Sequence, residues 1–518
     1  MCPRRRRIGD RCPLSSAVQG EGDVPVGSGR LAAVFNVSHS ASFMPLTTMI
    51  LVHLLSLNSA MTTVDRLTRP VIMLWVVGVS LVAVGCTSES DPRAGAGSEV
   101  PDSTLVEARR VGTIPVGVLK EQTPEAFAAL KPRAVHDVDA YRVVYQTEDL
   151  TTGETIEVSG AVFVPQAEGP LPAISYQHGT IYPFEGDTKA PSNHAGQTLE
   201  VALCRLLAAQ GYVVAAPDYI GYGASQDRPH PYYLLESHAL TTWNLLRATA
   251  EMAEQQNIEL RGDVVLTGYS QGGSTSMALH RRMESRGDST FRVAASVNGS
   301  GVYHLPEFMA SVLSTEDLGV AQSDAGDQIL NVYLWVIDTY LDHYDDLDRS
   351  WSDVVVSPHA ASLDTASSVF DVAVPSTPAT VFTSDFRSGI QTRQDTALVR
   401  VLEENSNYRW SPQAPVYMVH GTGDNIVPFA NARIAMQTMR ERGVETATLI
   451  PVEGAGHGDT FSRYLEVLVG TLAERASATG AKENASPTSA SSSPARSEAA
   501  RSEAARSEAA RSGASIQP

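Results

Sequence analysis

The chain has 518 residues, 43% of them hydrophobic and 19% charged, a globular mix that suits two or three domains or one large α/β domain with insertions and tails. Its net charge is −19; residues 1–85 hold eight Arg against four Asp/Glu, so the remainder, at 31 basic against 54 acidic residues, is more acidic still. Such a surface repels nucleic acid and anionic membranes, which argues against a nucleic-acid partner.

Residues 1–60 begin with Arg4–Arg7 and run on in Gly, Ser and Pro without a period, and they read as a disordered or non-native extension. Met61 to Gly85 combines a short basic region, an apolar run from Val71 to Val84 and a small residue at the junction, the pattern of a secretory signal. A spanning signal-anchor is the alternative, but an uncharged run of roughly 15 residues falls short of the ~20 that a spanning helix needs. Ala83-Val84-Gly85-Cys86 resembles a bacterial lipobox, with Ala83 where Leu is usual; it implies lipidation of Cys86, an anchor in the bacterial cell envelope, and Met61 as the working start. Residues 86–110, rich in Ser, Gly, Asp and Glu, read as a flexible tether.

The globular domain is expected over 111–475. Tyr141–Thr147 and Thr155–Val164 alternate as an antiparallel hairpin. Strands and helices then take turns: Pro172–Gln177, a helix Gln197–Ala209, Tyr212–Ala216, a helix Leu234–Gln256, then Val264–Leu266, a helix from Gly273, and Val293–Val297. This is the pattern of a mostly parallel sheet with helices on both faces. Alternation lapses over about 301–412, where Gln328–Leu341 is helical, and a structureless loop of that size is improbable, so the segment reads as an inserted helical cap. Val416–Val419, a helix Ala430–Arg442, Thr446–Val452 and a helix Thr460–Ala473 complete the core. Arg-Ser-Glu-Ala-Ala repeats then mark 476–518 as a disordered low-complexity tail.

The run Asp263 to His280 carries the chemistry. A buried strand, Gly268-Tyr269-Ser270-Gln271-Gly272 and a following helix match a nucleophile elbow, in which a strained turn presents Ser270 above the sheet. The plain alternative is a glycine-rich turn that only packs. A serine hydroxyl needs a base, and in this frame the partners follow in the order Ser, Asp or Glu, His. His457, in Gly456-His457-Gly458, is the one histidine beyond residue 420. Asp424, on the loop leaving Val416–Val419, is the expected acid, with Asp459 the less favoured choice. An oxyanion needs donors: the Gln271 N–H, and the Thr180 N–H or else that of Gly179. His178 and Asp218 read as structural, and Cys204 as a buried inert thiol.

Tyr176-Gln177-His178-Gly179-Thr180, Pro217-Asp218-Tyr219-Ile220-Gly221-Tyr222-Gly223, Gly268–Gly273, His420-Gly421-Thr422-Gly423-Asp424 and Gly456–Gly458 together resemble an α/β-hydrolase of the secretory-lipase type, and in particular its bacterial lipoprotein relatives. The resemblance spans 140–475 and implies hydrolysis of carboxylic esters, on a small-molecule or lipid substrate, leaving the ester open. A serine peptidase on the same scaffold and a catalytically silent binding module are the competing readings. No metal-ligand spacing and no dinucleotide fingerprint is visible, so no metal and no cofactor is expected. The oligomeric state is not legible.

Overall fold

The computed structural model describes residues 103–193, 198–287, 290–316 and 328–485. The extension 1–60, the signal segment 61–85, Cys86, most of the tether and the tail beyond 485 lie outside the described residues. Nine strands form one sheet: β1 Leu105–Ile114, β2 Val138–Asp149, β3 Glu154–Pro165, β4 Leu171–Gln177, β5 Val213–Pro217, β6 Leu260–Tyr269, β7 Arg292–Gly299, β8 Val416–Gly421 and β9 Ala447–Val452. Their order is β1-β2-β3-β5-β4-β6-β7-β8-β9. The pairings β1–β2, β2–β3 and β3–β5 are antiparallel, and every pairing from β5 across to β9 is parallel.

The expected hairpin is β2–β3, in unbroken register from Val138↔Pro165 to Asp149↔Glu154. Strand β1 departs from the expected tether, because the chain already enters the sheet at Leu105. It pairs only with β2 and its side chains are largely exposed, so its sequence lacks the in–out alternation that marks a half-buried strand.

The central strands are buried on both faces. In β6, Val264 and Leu266 pack with Leu245, Met252, Leu279 and Met283 of the helices Leu235–Gln255 and Gln271–Arg286. Val265, pointing the other way, packs with Leu203 and Leu207 of helix Leu199–Ala208 and with Leu465 and Leu468 of helix Phe461–Ala485. The period of two along a strand thus feeds two separate cores, which is why the strands read as continuous apolar runs.

Between β7 and β8 the chain leaves the sheet for the helices Leu305–Leu313, Ile329–His343, Ser384–Gln391 and Thr396–Glu404, joined by shorter turns. Their apolar faces share one cluster with Tyr232–Leu235, which precedes the long helix, and with Val427. Trp335 lies parallel to Tyr232 at 4.1 Å and edge-on to Phe370 at 5.3 Å. Aromatic pairs of this kind add about 0.5–1.5 kcal/mol each beyond the area they bury, and the Trp335–Tyr232 pair fastens the insertion to the domain beneath it.

Candidate active site

The turn after β6 forces Ser270 to φ 57° and ψ −120°, a conformation that costs a non-glycine residue about 1–3 kcal/mol. The surroundings over-determine it. Ser270 N–H donates to Gly299 O at 2.9 Å, and Ser270 O accepts from Ser274 N at 3.2 Å. A Cβ on Gly268 would lie 2.5 Å from the backbone of Gly272 and from Gln177 O, and one on Gly272 would lie 2.0 Å from Gln177 O. Only hydrogen fits at both positions, so strand, helix and the end of β4 close around the serine.

The loop after β9 carries His457 to this serine. Ser270 Oγ–H donates to His457 Nε2 at 3.0 Å, and His457 Nδ1–H donates to Asp424 Oδ2 at 2.7 Å. Asp424 is buried on the loop after β8, where Oδ1 accepts the N–H groups of Ile426 at 3.0 Å and Val427 at 2.8 Å. Burial opposes its ionisation, but His457, His420 and the Val427 N–H outweigh that and hold the carboxyl below its ordinary range. The carboxylate is therefore ionised at neutral pH and aimed at the imidazole. Asp459 instead accepts the Gly456 N–H at 3.3 Å, bracing the histidine loop from within.

On the opposite side, Gln271 heads the helix Gln271–Arg286, where the first N–H groups have no intrahelical partner. Among the described residues, neither the Gln271 N–H nor the Thr180 N–H has an acceptor. Gly179 differs from the sequence expectation: its N–H is taken by Glu200 Oε1 at 2.9 Å, which removes it from the pair of alternatives. The loop is nonetheless beside Ser270, since a Cβ on Gly179 would lie 3.9 Å from Ser270 Cβ. Glu200 also accepts from Tyr176 Oη at 3.1 Å, and burial raises its carboxyl above the ordinary value.

The buried histidines hold the scaffold. His178 places Nδ1 2.6 Å from Gly179 O and Nε2 3.2 Å from Asp218 O, linking the loops after β4 and β5. Asp218 accepts from Ser159 Oγ at 2.6 Å and Ser192 N at 2.7 Å. His230 donates from Nδ1 to Ile220 O at 2.7 Å and accepts from the Gln271 side-chain amide at 2.8 Å. Burial pulls its pKa well down, which keeps the ring neutral and Nε2 able to accept. Cys204 is a buried free thiol.

The cap touches both sides of the site. Tyr232, stacked on Trp335, meets Thr180 Oγ1 at 2.9 Å, and Tyr333 Oη–H donates to Ile426 O, two residues after the acid, at 2.6 Å. Sequence reasoning missed Glu200, His230, Tyr232 and Tyr333. Glu200 is the second residue of its helix and looks like an ordinary acid favouring the helix dipole. The others lie in segments without a motif, and only long-range contact reveals them. Among the described residues there is no group of three or more His, Cys, Asp or Glu that could hold a metal ion, and no helix long and apolar enough to cross a membrane.

Comparison with known proteins extends the geometry. The secretory lipase family model matches residues 189–464. Lipase 10 of Candida albicans is 23% identical over 370 residues, covering 67% of this chain and 75% of the lipase. Among solved structures, a hydrolase candidate from Legionella pneumophila superposes with a TM-score of 0.60 at 23% identity, covering 72% of this chain and 98% of its own. The rice cell wall degrading esterase LipA from Xanthomonas oryzae gives 0.57 at 24% identity, covering 72% and 97%. The sheet order, the flanking helices and these neighbours make this an α/β-hydrolase fold, and the chain belongs to the secretory lipase family of lipase and esterase-type hydrolases.

Proposed function

We propose that this protein cleaves carboxylic esters through an acyl-enzyme on Ser270, with His457 as base and Asp424 as the acid that orients it. The observation that carries this reading is the continuous hydrogen-bonded chain from Ser270 Oγ through both nitrogens of His457 to Asp424 Oδ2, at 3.0 and 2.7 Å. Ser270 Oγ attacks the ester carbonyl carbon as its proton passes to His457 Nε2. The Gln271 and Thr180 N–H groups receive the oxyanion, at about 2.7–4 kcal/mol per donor. His457 then returns the proton to the departing alcohol, and the cycle repeats with water to free Ser270 and release the carboxylic acid. Asp424 keeps Nδ1 protonated, so that Nε2 faces the serine.

Labelling with a fluorophosphonate should modify Ser270 and be lost in Ser270→Ala. Asp424→Asn keeps an acceptor for Ile426 and Val427, so it should fold normally yet lose up to about 10⁴ in kcat through the wrong tautomer. A matched p-nitrophenyl ester should be cleaved faster than an aminoacyl anilide. No labelling of folded wild-type protein, or faster anilide cleavage, would refute the reading.

The site of action is proposed to be extracytoplasmic, through a lipid anchor on Cys86. Support comes from the Met61–Cys86 sequence and from membership of a secretory family. Expressed in bacteria, the protein should partition with membranes, and Cys86→Ser should release it. Release of neither form, or of both alike, ends the anchor proposal.

A further inference from the structure

We propose that Tyr269 is a positioning residue, whose phenol holds the His457 loop over the nucleophile. The inference rests on the Ser270–His457 reading above. Tyr269 precedes Ser270 directly, and its Oη–H donates to His457 O at 2.5 Å. A second contact, from Ser300 Oγ at 3.1 Å, approaches the same phenol. With the phenol proton given to His457 O, the Ser300 hydroxyl is the donor in that pair. Ser300 is itself fixed, its N–H donating to Val419 O at 2.8 Å. One hydroxyl therefore joins three pieces of the site: the elbow, the end of β7 and the loop after β9.

The ring is locked where it can do this. It packs edge-on against Phe461 at 5.0 Å and Tyr464 at 5.2 Å. A Cβ on Gly299 would sit 2.3 Å from Tyr269 Cδ2, so the glycine leaves the space that the ring occupies. Burial raises the phenol's pKa, so the group remains a donor at any working pH.

The histidine loop needs such a hold. It contains Gly454, Gly456 and Gly458, which leave the main chain many alternatives. Gly454 N–H is held by Thr422 Oγ1 at 2.8 Å and Ala455 O by Gly423 N at 3.0 Å upstream of the histidine, Gly456 by Asp459 and Thr460, and Gly458 O by Phe461 N at 3.2 Å beyond it, which leaves the His457 peptide itself. Among the described residues, the His457 carbonyl has Tyr269 as its partner. The ring is oriented by Asp424, and the main chain that carries it is held by a tether that starts one peptide away from the serine. Productive geometry of this kind tolerates only about 0.5 Å of looseness.

Tyr269→Phe removes the tether and keeps the ring. On a p-nitrophenyl ester, kcat should fall about tenfold with KM unchanged, the worth of one hydrogen bond felt in the transition state. The rate constant of fluorophosphonate inactivation should fall by the same factor, which a purely structural role would not produce in a folded protein. Ser300→Ala leaves the tether intact and should change either rate by less than about twofold. Wild-type rates in Tyr269→Phe overturn the proposal, and so does Ser300→Ala slowed as much as Tyr269→Phe. If Tyr269→Phe fails to fold by circular dichroism, the hydroxyl serves the core rather than the loop, and the proposal falls. Failure of wild-type Ser270 to label would instead sink the parent reading.

Discussion

The buried His238 offers a test of the scaffold through pH. Its ring stacks on Tyr219 at 5.2 Å and on His230 at 5.0 Å, donates from Nε2 to Pro231 O at 2.9 Å and meets Thr275 Oγ1 at 3.3 Å. Burial pulls its pKa down to about 3. The unfolded chain takes up a proton here below about 6.5, whereas the folded chain refuses it until far lower pH. The stability that His238 contributes is therefore present above that value and is lost as pH falls from about 6.5 towards 3. The slope approaches one proton's worth per pH unit, which integrates to a few kcal/mol, on the order of 3, between pH 7.5 and 4.5. In His238→Gln the amide can still donate to Pro231 O, and the titration is gone. The variant should be less stable at pH 7.5 by about 1–3 kcal/mol, from lost ring packing and a weakened Thr275 partner. Because it escapes the proton term, the gap should close or reverse by pH 4.5. Urea unfolding followed by circular dichroism at pH 7.5, 6.0 and 4.5 measures this difference. Parallel pH profiles for the two proteins would show that His238 takes up a proton without unfolding, and would refute the argument.

Gly272→Ala should cost about 3 kcal/mol or more and abolish ester turnover, because the new methyl meets the main-chain oxygen of Gln177 at 2.0 Å and neither strand nor helix can give way cheaply. A stable, active variant in urea titration and ester assay would remove the close-approach account of the motif. Trp335→Ala should destabilise the protein by about 3–5 kcal/mol. It should also lower kcat in what stays folded, since Tyr232 loses the surface that steadies it against Thr180. An unchanged kcat in Trp335→Ala would separate the cap from the Thr180 loop.

The central strands were readable because burial on both faces writes itself as unbroken apolar runs, and because all of them but β7 are followed by a loop with its own motif. The elbow could be placed from its five residues together with the apolar strand before them and the helix after them, since sterics leave no substitute for glycine at 268 and 272. β1 was not readable: an edge strand that leaves most of its side chains in water follows no two-residue period. The interior of the cap was hidden for another reason. Helices as short as Trp351–Val354 and His359–Leu363 present less than two turns, too little for a 3.6-residue period to emerge. The engagement of Gly179 by Glu200 is a contact 21 residues apart in sequence, and no local pattern distinguishes the Gly179 N–H from that of Thr180.

The cluster that joins the insertion to Tyr232–Leu235 bears on how this enzyme could be re-engineered. An insertion between two core strands invites exchange with that of a relative, as a cassette that would carry its preferences along. Here the seam runs through a continuous apolar interior rather than along a wetted boundary. Excising the insertion would strip Tyr232, Tyr233, Leu234 and Leu235 of their cover and present a sticky face beside the Thr180 loop. Any chimaera therefore has to move those four residues, together with Val427, as part of the cassette.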